Sequence, residues 1–122
     1  MMSDKAKILI FGFSAEEQSR IDEHLAAVGI PAPTRLVKRH GKVVIGDILR
    51  KGAIGEEEFD CDERLVLFFN LSDGGVRSLI QVFKSIEIPK PIFAVVTETS
   101  TTWTLEHLMA HLIEEKRAHE GS

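Results

Sequence analysis

Two short stretches, residues 7–13 and 65–71, are almost continuously apolar. Runs of this length suit strands covered on both faces, as in parallel sheets. Each is followed by a polar cap and an apolar stripe at helical spacing. After the first run, Ser14-Ala15-Glu16-Glu17 spells a capping box, in which the serine hydroxyl accepts the Glu17 N–H and the glutamate reaches back. Ile21, Leu25 and Val28 form the stripe, and Gly29 ends the helix. After the second run, Ser72 is the cap and Val76, Leu79, Ile80, Phe83 and Ile86 form the stripe. A Pro-x-Pro then pins an extended entry into a further strand in each half, Thr34–Val37 and Ile92–Val96. A last helix closes each half, over residues 43–51 and 104–117.

The two halves align with each other. Shifted by 58 residues, residues 8–37 lie over 66–95 without a gap, and Ser14, Pro31 and Pro33 fall on identical residues. The chain therefore reads as one α/β domain, residues 1–122, built from βαβα repeats at 7–51 and 65–117. The linker 52–64 opens on Gly52 and Gly55. Strands alternating with helices imply right-handed crossovers and parallel pairing. The expected sheet is four-stranded and mainly parallel, in order 2-1-3-4, a truncated flavodoxin-like arrangement with helices on both faces. A mixed sheet with the two halves antiparallel is the competing arrangement.

The composition is that of a globular domain, with 43% hydrophobic and 28% charged residues. The net charge of −4 argues against a general nucleic-acid binder. No apolar run has membrane-spanning length and no signal peptide opens the chain, so no membrane association and a cytoplasmic location are expected. Cys61 is the single cysteine, which excludes an internal disulfide. The sequon Asn70-Leu71-Ser72 is read as chance, because nothing points to secretion.

The second half resembles a known family. Its strand Leu65–Phe69, the helix after it, the strand Ile92–Val96, the Trp103-Thr104-Leu105 opening, Leu108 and the Glu114-Glu115 pair are similar to the bacterial domain-of-unknown-function family numbered 3783. The resemblance covers about half of the chain. It implies a bacterial cytosolic protein and no particular activity.

Candidate chemistry follows from the expected topology. In an open parallel sheet a ligand sits outside the carboxyl ends of the strands, where their order reverses. Strands one and three would bring Ser14, Asn70, Ser72, Gly74, Gly75 and Arg77 there, with two helix N-termini offering N–H groups to an anion. Plain helix capping explains the same residues. Nucleotide-binding glycine fingerprints are absent, as is the acidic cluster that receiver chemistry needs. No cofactor is indicated. His107 and His111, four apart on the last helix, are the metal candidate, but they lie off its apolar stripe of Leu105, Leu108, Met109 and Leu112. Six carboxylates within residues 56–63 surround Cys61 and disfavour its thiolate. That run lacks the glycine and spacing of a calcium loop. Arg35, Lys38, Arg39, Lys42, Arg50 and Lys51 form a basic stretch suited to phosphates, to an acidic partner, or to the acidic linker itself. Trp103 is placed in the core beneath the last helix, with Val43 as its first-half counterpart.

No motif assembles a nucleophile, a base and an oxyanion donor. The leading reading is a small cytosolic binding or protein-interaction module without evident catalytic chemistry. The runner-up is small-anion or nucleotide-type ligand binding at the switch point, with weak catalysis. In order 2-1-3-4 the second and fourth strands are edges. The second carries Arg35, whereas Ile92-Phe93-Ala94-Val95-Val96 has no polar residue. On the ungapped alignment Phe93 falls where Arg35 stands. Ile92, Phe93 and Val95 are thus the candidate interface of a homodimer.

Overall fold

A computed structural model describes residues 6–120 of the chain. Both halves run strand, helix, strand, 3₁₀ turn, helix. The first holds β1 (Lys7–Phe11), α1 (Ala15–Ala27), β2 (Thr34–Leu36), a turn at Lys38–His40 and α2 (Ile45–Lys51). The second holds β3 (Leu65–Phe69), α3 (Asp73–Lys84), β4 (Ile92–Val95), a turn at Ser100–Thr102 and α4 (Leu105–Glu120). No described helix is long and apolar enough to cross a membrane.

The residues cluster into two compact units that do not coincide with the halves. One comprises the chain up to Leu36 together with Asp62–Val95. The other comprises Val37–Cys61 together with the chain from Val96 onward.

The first unit holds the whole sheet, in the expected order β2-β1-β3-β4. β1 runs parallel to β2 and β3 parallel to β4, but β1 and β3 are antiparallel. The sheet is therefore mixed, and the mainly parallel, flavodoxin-like expectation fails at its centre. The physical reason is that a parallel pair is enforced only where a crossover helix directly joins two strands. β2 and β3 are joined by a long excursion that fixes no direction. On one face Ile8, Ile10, Val66 and Phe68 pack against Ile21 and Leu25 of α1 and Leu79 and Phe83 of α3. The alternate residues Leu9, Phe11, Leu65 and Leu67 point to the other face, so both faces are apolar.

Within the central pair, Leu9 stands opposite Leu67, its own counterpart at a shift of 58. The outer strands depart from that shift. Leu9 pairs with Thr34, but Leu67 pairs with Ala94, so from β2 and β4 onward counterparts are 60 apart. The register of β4 on β3 is thus slipped by two residues from that of β2 on β1. Because side chains alternate with period two, this slip leaves every residue on its proper face.

The second unit repeats the pattern at the shift of 60. Val44 forms an isolated antiparallel bridge with Thr104, its own counterpart. Ile45 N–H donates to Trp103 O (2.8 Å) and Leu105 N–H to Val43 O (3.2 Å). The two 3₁₀ turns are closed alike. Val37 N–H donates to His40 Nδ1 and Thr97 N–H to Ser100 Oγ, each at 2.8 Å, and His40 and Ser100 are both buried. The Phe59 ring lies on Gly41 where any Cβ would stand, so position 41 admits no larger residue.

Candidate functional site

β1 ends at Gly12, whose φ of 89° and close approach to Glu63 O (2.6 Å from a built Cβ) exclude a side chain. The capping box then forms as its sequence predicts. Glu17 N–H donates to Ser14 Oγ (3.1 Å) and Ser14 N–H to Glu17 Oε1 (2.8 Å). Glu17 also meets Arg64 Nε at 3.4 Å. The Ser14 N–H is the main cause holding this carboxyl below its ordinary value; Arg64 assists and partial burial opposes.

β3 ends at Asn70, the counterpart of Gly12, which takes a left-handed φ of 59°. Ser72 Oγ accepts the Gly75 N–H (3.0 Å). Gly75 stands where Glu17 stands in the first half, so no carboxylate closes this cap. The two caps do not meet. Phe11 pairs with Leu65 and Lys7 with Phe69, so the carboxyl ends of β1 and β3 lie at opposite ends of the sheet. Ser14 is at one end; Asn70, Ser72, Gly74 and Gly75 are at the other. Arg77 is exposed one turn into α3. The expected crevice between two helix N-termini is replaced by two separate single caps.

The other candidates resolve individually. His107 and His111 share a face of α4, as their spacing requires. They meet the Trp103 ring edge-on at 4.7 and 5.4 Å, and His111 Nε2 lies 3.0 Å from Glu115 Oε1. Trp103 is half-buried rather than wholly in the core. Among the described residues no three His, Cys, Asp or Glu side chains are placed to hold a metal ion. The basic stretch is largely partnered, and Glu57 of the acidic linker adds an electrostatic attraction to Lys42. Arg35 pairs with Asp22, Lys42 with Glu106, and Arg50 with Asp47, while Arg39 Nε donates to Gly55 O.

The clearest asymmetry between the halves is at the sheet edges. On β2, Arg35 Nη2 lies 2.7 Å from Asp22 Oδ2 of α1, placing an ion pair at the rim. At the structural shift of 60, the counterpart of Arg35 is Val95 and not Phe93. At the helix shift of 58, the counterpart of Asp22 is Ile80. β4 therefore carries an apolar pair where β2 carries a charged one. Val95 is 48% exposed. Phe93 turns inward instead, stacked on Phe68 (6.2 Å, 7° between planes) and edge-on to Phe83 (5.9 Å). Ile92 N–H donates to Arg64 O (2.8 Å). Parallel-ladder alternation then turns the N–H and C=O of Phe93 and Val95 toward the free edge.

This unguarded edge lies in the half that the sequence pattern set apart. Residues 64–118 match the model of the domain of unknown function DUF3783. The match runs from just before β3 to near the end of α4, so the matched stretch takes in the cap at Ser72, the edge strand β4 and the Trp103 cluster. No curated protein and no solved structure matches the chain.

The Asp22–Arg35 guard was missed in the sequence, although the 58-residue alignment held its signal. Asp22 over Ile80 is a charged residue replaced by an apolar one on the same helical face.

Proposed function

We propose that this chain is a cytosolic protein-interaction module without catalytic chemistry, which pairs with a second copy of itself along the free edge of β4. The carrying observation is the contrast between the two edges. An edge strand offers unpaired backbone groups, and folded proteins blunt such edges with charges. β2 has the Asp22–Arg35 ion pair, whereas at the corresponding places β4 has Ile80 and Val95. An antiparallel partner strand would use the outward N–H and C=O groups of Phe93 and Val95 and cover the exposed Val95 side chain. The interface would thus centre on Val95 and Ile92, with Phe93 contributing its backbone.

The likeness of the halves elsewhere supports reading them as copies of one ancestral unit. They share one element order, and two pairs, Leu9–Leu67 and Val44–Thr104, set a residue against its own counterpart.

Sedimentation velocity at micromolar concentration tests the pairing. The parent chain is expected to sediment as a dimer. The double variant Ile80→Asp/Val95→Arg, which moves the β2 guard onto β4, is expected to be a folded monomer. A strictly monomeric parent, or a double variant that dimerises as the parent does, overturns the reading.

A further inference from the structure

A cavity lies along the segment that joins α3 to β4. It measures 290 Å³ and is lined by Phe83, Ile86, Ile88, Pro91 and Phe93, with Lys84 and Lys90 as its only charged residues. Phe83 and Ile86 are buried, and Phe93 is held in place by its stacking on Phe68. The walls are therefore preformed. Neither lysine has a hydrogen-bond or ion-pair partner among the described residues. Glu87, between them in sequence, does not line the cavity.

We infer that this cavity binds a small amphipathic monocarboxylate, with its apolar body against Phe83, Ile88 and Phe93 and its carboxylate at Lys84 and Lys90. Ligand sites characteristically combine mostly apolar walls with a few polar groups that fix orientation. Here the polar groups are two cations, so the complementary head is an anion. The volume lies at the small end of ligand pockets. At protein-like packing density of about 0.74 it holds a body of roughly ten non-hydrogen atoms. The inference goes beyond strand pairing and does not depend on it.

The probe is 3-phenylpropanoate, with neutral 3-phenylpropanamide as its match in shape, followed through backbone amide shifts of the full chain. The acid is expected to give saturable shifts concentrated in residues 83–93, with at least about fivefold tighter binding than the amide; exposed charges contribute only modestly. Lys84→Gln/Lys90→Gln is expected to remove the preference for the acid while leaving the sedimentation of the chain unchanged. Ile88→Trp, which fills the cavity, is expected to abolish binding of both probes. Shifts that stay linear to about 10 mM, equal affinity for acid and amide, or a preference that survives the lysine substitutions would each overturn the inference. Should Ile88→Trp fail to fold, the lysine variant and the acid–amide comparison still decide.

Discussion

If the Asp22–Arg35 pair is an edge guard rather than a source of stability, removing it whole should change association and leave folding almost untouched. The perturbation is Asp22→Ile/Arg35→Val, which gives β2 the apolar pair that β4 already has. Arg35 and Asp22 side chains are 50% and 30% exposed, so the pair is worth at most about 1 kcal/mol after solvent screening. Val on a strand recovers part of that. The double variant should therefore unfold in urea within about 1 kcal/mol of the parent. Arg35→Val alone should be worse. Asp22 Oδ1 is already buried without a hydrogen-bond partner, and losing Arg35 leaves both carboxylate oxygens unpartnered. For a group 30% exposed this costs about 1 kcal/mol, the low end of the range for an orphaned polar group. A double-mutant cycle should thus show coupling between the two positions. In sedimentation, the double variant carries two open edges and should form species larger than the parent, growing with concentration. A double variant that sediments as the parent does would refute the guard, and Arg35→Val as stable as the double would refute the cycle.

Two further outcomes concern the turns and caps. Burial pushes the His40 imidazole below its ordinary value of 6.5. The unfolded chain then takes up the proton first, so stability present above about pH 6.5 is lost as the pH falls through the folded-state value. Urea midpoints between pH 8 and 5 should show this fall, and His40→Ser, which copies the Ser100 arrangement, should flatten it. Ser14→Ala should cost about 1 kcal/mol in the same assay, as should Ser72→Ala. Glu17→Ala should also destabilise, and that loss should shrink in acid, because the depressed Glu17 carboxyl works above its unfolded value of 4.5 and its contribution disappears as it protonates. A Glu17→Ala loss that is the same at every pH would contradict that assignment.

Much of the first unit was legible in the sequence because its signals are local. Apolar runs gave β1 and β3, the Ser14 box and Ser72 gave the starts of α1 and α3, and connection rules gave the order β2-β1-β3-β4. Strand direction at the centre was not legible. A run buried on both faces reads the same in either sense, and only the path between β2 and β3 decides it. With that direction went the expected meeting of Ser14 and Ser72. The 3₁₀ turns were also invisible, since three residues carry no period. Lys38-Arg39-His40 reads as charge, yet His40 is the buried residue that closes the turn. The ungapped Ile-Pro-x-Pro match misled at the edge. It set Arg35 over Phe93, whereas the strand register brings Val95 there.

The opposition of Leu9 and Leu67 bears on chains that hold a single half. In this protein β3 gains its inner neighbour, β1, from the other half of the same polypeptide. A polypeptide holding only one such half would have no β1, and its β3 would be bare along the flank where this sheet is most apolar. The geometry that completes it is the antiparallel one seen here, supplied by another molecule across a true rotational dyad. On the proposed reading of the halves as copies, the central seam of this protein corresponds to a subunit boundary made intramolecular by the linker. On that reading each half is free to diverge once both share one polypeptide, and Arg35 and Val95 mark opposite courses.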